Sequence, residues 1–270
     1  MLEEAVRAYR EAFGARLLAA YALGSLAHGG FSPLVSDVDL GLILADPLRA
    51  SDGTTVQSIG DSLRARGTEL QARLSVFWGT PQTLAGTQTG GRFPPLDRLD
   101  LLQHGRLLSG VDARAGLPQP SRADLLVAGA EFALGSLAAD AAVQQLRRPD
   151  VLLGAGVRHV TKVVLFPVRF LYTAETGLVG TNDAAAAHYL AATDGRPSAG
   201  LVAAALAWRA DPPDHDQAAT LLARDVIPLY RHYLDDHVAR LAAVPRPDLA
   251  DAFARWRRRL DPGFAEPGDG

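Results

Sequence analysis

Apolar positions at Leu2, Val6, Tyr9, Phe13 and Leu17 recur at helical spacing and predict a helix over residues 2–17. The continuous apolar run Leu17–Leu23 predicts a short buried strand that stops at Gly24. Asp39–Leu44 predicts a second strand. Ser51–Arg66 fits a helix, with Ser51 or Asp52 as cap and Gly67 as stop. Leu70–Trp78 predicts a third strand, closed by Gly79-Thr80-Pro81, and the Gly/Thr/Pro-rich stretch 83–95 predicts a loop. Apolar content returns over Leu99–Leu108, and Leu107-Leu108-Ser109-Gly110 predicts a short edge strand.

The pattern changes at Gly116–Ser121, a Pro-containing linker, beyond which the chain is rich in alanine and leucine. Helical periodicity fills roughly 121–147, 156–177, 182–193, 198–210, 215–242 and 247–260, with Pro167 and Pro228 expected to kink helices from within. The expected fold class is α+β. A small mixed-sheet module spans 1–115, an all-helical bundle spans 120–260, a flexible tail spans 261–270, and a ligand cleft is expected between module and bundle.

Composition narrows the chemistry. Of 270 residues, 48% are hydrophobic and 21% charged, enough to build packed cores. The formal net charge of −3 gives no general attraction to nucleic acid or to an anionic membrane. Cysteine is absent, which excludes disulfides, thiol nucleophiles and cysteine-ligated zinc. The start, Met1-Leu-Glu-Glu-Ala, lacks the basic and apolar segments of a signal peptide, and no apolar run is long enough to span a bilayer. The expectation is a soluble cytoplasmic protein without membrane or nucleic-acid partners.

The chemistry-bearing stretch runs from Tyr21 to Asp46. Gly24-Ser25 ends an apolar run, a Gly/Pro-containing loop follows, and Asp37 and Asp39 stand at the mouth of the next apolar run. In an extended chain, side chains at i and i+2 share a side, so these carboxylates are expected together. Neighbouring like charges call for a cation, and Mg²⁺, with its oxygen ligands and its tolerance of substrate phosphates in its shell, suits the place.

This stretch resembles the signature of the nucleotidyltransferase superfamily related to DNA polymerase beta: Gly-Ser, a spacer, then Asp-x-Asp. The resemblance implies Mg²⁺-dependent transfer of a nucleoside monophosphate, AMP from ATP, to a hydroxyl of a small molecule or protein. Asp37 and Asp39 would hold metal, and Gly24 and Ser25 would cradle phosphates. The spacer here is one residue longer, by Val35 or a neighbour. A second segment, Arg169-Phe-Leu-Tyr172-Thr173-Ala-Glu-Thr176-Gly177 followed by Asn182-Asp183, is similar to the helical domain of the streptomycin/spectinomycin-type adenylyltransferases. That likeness implies a nucleotide contact for Arg169. Asn182 replaces a family lysine and reads most simply as a helix cap. Lys162, the sole lysine, and Arg158 one turn earlier could form a phosphate-binding edge, against a solvated helix face as the equal alternative.

One departure bears on activity. The resemblance implies a third carboxylate on the third strand, where this chain has Ser75, a poor base and weak metal ligand. Glu69 is too far along a strand, and Asp97 and Asp100 follow the loop with nothing in the sequence to bring them in. Losing a general base costs about 10²–10⁴ in rate. The alternative is therefore a weakened nucleotide-binding or sensing protein on the same fold. His28, His104, Trp78, Phe93 and Tyr172 are lesser candidates whose plainer readings are loop or core residues. His215, His232 and His237 do not read as a metal set.

Overall fold

The computed structural model describes residues 1–193 and 195–261. Residues 262–270, nearly all of the expected tail, lie outside the described residues. The chain divides into two compact units, one of Met1–Pro120 and one from Ser121 onward.

The first unit opens with α1 (Leu2–Phe13), which buries Ala5, Val6, Tyr9 and Phe13. The helix is shorter than the expected 2–17, because Gly14 takes φ 54° and a 3₁₀ turn, Gly14–Arg16, follows. Next come β1 (Leu17–Leu23), α2 (Ser25–His28), β2 (Val38–Leu44) and α3 (Asp52–Ala65). The expected strand over Leu70–Trp78 is cut in two. A capping box between Thr68 and Gln71 starts a one-turn helix, α4 (Glu69–Ala72), and β3 occupies Leu74–Gly79. Thr80 and Thr83 form a second box that starts α5 (Pro81–Leu84), which runs into the start of the expected loop 83–95. Then α6 (Pro95–His104) and β4 (Arg106–Gly110) complete the unit.

The sheet order is β3-β2-β1-β4, with β1 antiparallel to β2 and β4, and β2 parallel to β3. Strand parity sorts the core into two faces. Val38, Leu40, Leu42, Leu44, Leu74 and Val76 pack with α1 and α3 on one side. Tyr21, Leu23, Ile43 and Phe77 pack with Leu101 of α6 on the other. The Tyr9 hydroxyl donates to the Val56 carbonyl at 3.1 Å and ties α1 to α3, and burial pushes that phenol up to about 12. The free edge of β3 is guarded: Arg64 donates to the Leu74 carbonyl at 3.0 Å and Arg92 to the Val76 carbonyl at 2.8 Å.

The second unit is helical: α7 (Arg122–Leu137), α8 (Asp140–Leu146), α9 (Pro149–Gly154), α10 (Val157–Thr176), α11 (Asn182–Ala191), α12 (Ala199–Ala207), α13 (His215–Leu241) and α14 (Pro247–Arg259). The expected helix 121–147 is broken between α7 and α8, which meet at 81°. Arg259 donates to the Ala138 carbonyl at 2.7 Å and pairs with Asp140, capturing a carbonyl that a continuous helix would have used. Pro167 lies inside α10 and has no N–H to give the carbonyl four residues back. That carbonyl, on Val163, instead accepts from the Tyr230 hydroxyl at 2.9 Å. Thr181 caps α11, its hydroxyl accepting from the Ala184 N–H, so Asn182 is the first helical residue rather than the cap. Among the described residues no single helix is long and apolar enough to cross a membrane.

Candidate functional site

Gly24 closes β1 with φ 59° and ψ −147°, a conformation that favours glycine. Each of its faces is taken. Its carbonyl accepts from the Ala27 and His28 N–H groups at 2.9 and 3.2 Å, starting α2 with Ser25 as first residue. Its N–H donates to Asp100 Oδ2 at 2.5 Å. A Cβ at this position would overlap Asp39 Oδ2, so the Asp39 carboxylate lies directly against the glycine. The structure thus brings Gly24 and Asp39 together, and register explains why: Leu23 is the Cα partner of Asp39 across the β1–β2 pair.

Asp37 immediately precedes β2, and burial alternates through this segment. Ser36, Val38 and Leu40 are buried, while Asp37 and Asp39 are half-buried, as expected for i and i+2 on one side. The spacer before them is built rather than loose. Ser36 N–H donates to the Ser32 carbonyl at 2.9 Å, and Ser36 Oγ accepts from the Ser32 N–H at 3.0 Å. Val35 is buried inside this turn. Arg73 fastens the outside of the loop by donating to the Pro33 and Leu34 carbonyls at 2.9 and 3.2 Å.

Ser75 is the Cα partner of Asp39 across the parallel β2–β3 pair. The position beside Asp39 on the third strand therefore carries a hydroxyl. Glu69 lies on α4 and pairs with Arg73, away from the strand. The acidic group that reaches the glycine bend comes instead from α6, as Asp100. Sequence reasoning weighed Asp100 without a reason to place it. The available signal was its position between Leu99 and Leu101, both fully buried, which carries the intervening side chain inward. His104, one turn further on the same helix, meets the His28 ring edge to face at 5.6 Å. Among the described residues no three histidine, aspartate or glutamate side chains form a ready-made metal set.

The lesser candidates are mostly core. Trp78 packs with the α1–α3 face, Phe93 meets Phe77 at 5.9 Å, and Tyr172 meets His188 edge to face at 5.4 Å. A cavity of about 340 Å³ opens beside the edge strand, lined by Gln57, Arg64, Ser75, Trp78 and Arg92 with neighbouring apolar residues. Gly24, Asp37, Asp39 and Asp100 do not line it.

In the second unit, Arg169 and Lys162 sit on α10. With Arg158 and Phe166 they fall at positions 158, 162, 166 and 169, along one side of the helix. Arg169 donates through Nε to the Gly180 carbonyl and lies over the Phe166 ring at 5.5 Å, bracing the segment that leads to α11. Of two polar clusters in this unit, sequence reasoning missed the first and read the second, at Asp236, as a solvated face, whereas Asp236 is half-buried. Glu175 accepts from Arg196 at 3.0 Å and is in hydrogen-bond contact with His188 at 2.6 Å; burial raises its carboxyl, but these partners outweigh it and leave the group below its usual range. Asp236 accepts from Arg240 at 2.8 Å and stands 3.1 Å from His237 Nδ1. His215 is exposed at the start of α13 and His232 lies beside Tyr189, so the three histidines of this helix do not gather.

No protein-family model and no curated protein matches this chain. Among solved structures it is similar to spectinomycin adenyltransferase AAD(9) from Enterococcus faecialis, crystallised with ATP and spectinomycin. The likeness has a TM-score of 0.53 at 14% identity and covers 83% of this chain and 98% of that one. The fold is nucleotidyltransferase-like. In the terms of this nucleotidyltransferase-like fold, the class is α+β, a small mixed sheet followed by a helical unit.

Proposed function

We propose that this chain transfers a nucleoside monophosphate, AMP from ATP, to a hydroxyl of a small molecule or protein, with Mg²⁺ as cofactor. The observation that carries the reading is the Asp39 carboxylate seated against Gly24, at the bend between β1 and Ser25. The likeness in fold to an adenyltransferase crystallised with ATP supports it. The donor set also suits a hard cation. The space a Cβ would take at Gly24 is filled by an oxygen of Asp39, and a buried oxygen of Asp100, whose other oxygen accepts from the Gly24 N–H, has no hydrogen-bond partner.

Asp37 and Asp39 are assigned to hold the cation. When bound, Mg²⁺ supplies charge neutralisation at the phosphates and fixes their orientation. Gly24 and Ser25 are assigned to the phosphate side of the bend: the missing side chain of Gly24 lets the Asp39 carboxylate close on the backbone, and Ser25 offers a hydroxyl there. Arg158, Lys162 and Arg169 give the second unit a basic helix side suited to phosphate oxygens. With Ser75 beside Asp39, the acceptor hydroxyl loses its proton to a group other than a β3 carboxylate.

The same serine favours a second reading, a nucleotide-binding protein that senses rather than transfers. One experiment separates the two. The protein is incubated with α-labelled ATP and Mg²⁺, with and without aminocyclitol, sugar and protein acceptors. Label transfer that Asp37→Asn and Asp39→Asn each abolish supports transfer. ATP binding with no transfer to any acceptor class supports sensing, and absence of ATP binding defeats both.

A further inference from the structure

Asp100 is 8% exposed, held between two fully buried leucines of α6. One oxygen accepts the Gly24 N–H at 2.5 Å. The other, Oδ1, is buried and has no hydrogen-bond partner, and no lysine, arginine or histidine pairs with the group among the described residues. A carboxylate at that depth with a single neutral donor is an unbalanced charge. Folded proteins keep buried carboxylates by pairing them or by coordinating metal. A second carboxylate, Asp39, lies against the same glycine from β2. Two acidic groups from separate elements thus meet at one residue, an arrangement that a positive ion stabilises and that mutual repulsion otherwise opposes.

We propose that Asp100 is a carboxylate of the cation site, acting with Asp39 at the Gly24 bend. This rests on the reading of Asp39 as a cation ligand. Among the described residues Asp37, Asp39 and Asp100 do not form a preformed set of three, but Asp39 and Asp100 completed by phosphate oxygens and water make a shell that Mg²⁺ accepts, with Asp37 as a further ligand once the ion is bound. Anchored on α6 and bonded to Gly24, Asp100 also couples ion binding to the shape of the bend that presents Ser25.

The test is calorimetric titration of the full chain with Mn²⁺, without nucleotide, comparing wild type with Asp39→Asn, Asp100→Asn and Asp100→Glu. Asparagine keeps the size of the side chain and can still accept from the Gly24 N–H, so it removes charge alone. Asp100→Asn is expected to weaken Mn²⁺ binding by ~10–100-fold. Asp100→Glu, which keeps the charge, is expected to bind more tightly than Asp100→Asn. A thermal melt of each variant checks that it remains folded. If Asp39→Asn weakens Mn²⁺ binding while Asp100→Asn binds like wild type, the inference fails and the reading of Asp39 stands. Equal affinities for the Asn and Glu variants at position 100 also overturn it. If wild type takes up no Mn²⁺, or Asp39→Asn leaves uptake unchanged, the reading of Asp39 fails as well.

Discussion

Replacing Gly24 by alanine puts a methyl group where the structure has a carboxylate oxygen. Two costs arise, and they can be separated. At φ 59° and ψ −147° an alanine is held in a backbone region that suits glycine, a strain of about 1–3 kcal/mol. The new Cβ also overlaps Asp39 Oδ2, and overfilling a packed position costs about 1–3 kcal/mol. Gly24→Ala should therefore destabilise the first unit by about 2–6 kcal/mol. In an Asp39→Ala background the overlap is gone and the backbone strain remains. The double-mutant cycle should show a coupling of about 1–3 kcal/mol between the positions. Native-state hydrogen exchange at the amides of β1 and β2 reads the first unit apart from the second. Transfer activity should fall with Gly24→Ala and should not return in the double variant, because Asp39 is then missing. An equal cost of Gly24→Ala in both backgrounds would refute the argument, since it would mean that Asp39 does not abut Gly24.

Further expectations follow from the same structure. Asp52 is 2% exposed and accepts from both guanidinium nitrogens of Arg16, at 2.6 and 2.8 Å, and from the Arg49 N–H at 2.8 Å. Asp52→Ala leaves that arginine with only the Ala45 and Pro47 carbonyls and should cost about 1–3 kcal/mol, read as faster exchange across α3. Ser75→Asp adds a carboxylate beside Asp39. It should lower the melting temperature without metal and enlarge the rise produced by Mn²⁺, and a variant indifferent to Mn²⁺ would count against cation binding at Asp39. In the second unit, burial holds the His237 imidazole below its usual value, against the pull of Asp236. Its neutral form is favoured by folding, so stability present above about pH 6.5 should decline as pH falls and the unfolded chain takes up the proton. Asp236 is raised by burial but lowered further by His237 and Arg240, to about 2, so its contribution is lost between its ordinary range near 3.8 and that value. Urea unfolding of α13 against pH should therefore show two acid stages, and His237→Gln should remove the upper one.

What the sequence made legible follows from how locally each feature is encoded. The run Leu17–Leu23 was readable as a strand because its period and its stop at Gly24 lie within eight residues. Helices α10 and α13 were readable despite their internal prolines, because their apolar faces repeat over many turns. The break between α7 and α8 was not, since a distant arginine captures the Ala138 carbonyl and no glycine or proline marks the spot. At Glu69–Ala72 the Thr68–Gln71 box was present in the letters, but the flanking leucines suggested strand.

The candidate site divides along the same line. Asp39 meets Gly24 through the antiparallel register of β1 and β2, the Gly-Ser and Asp-x-Asp pattern marking the two strand ends that pair. Asp100 reaches the same glycine from 76 residues away, on a helix placed by Leu99 and Leu101 packing inward. Asp97, one turn earlier, lies between Leu96 and Arg98, so the flanking leucines turn Asp100 inward in its place. Only the fold decides that the inward side chain lands at the bend. The site thus draws one carboxylate from strand register and one from helix packing, and perturbing α6 at Leu101, which packs with Leu23 and with Ile43 of β2, should disturb Asp100 and the Gly24 bend together.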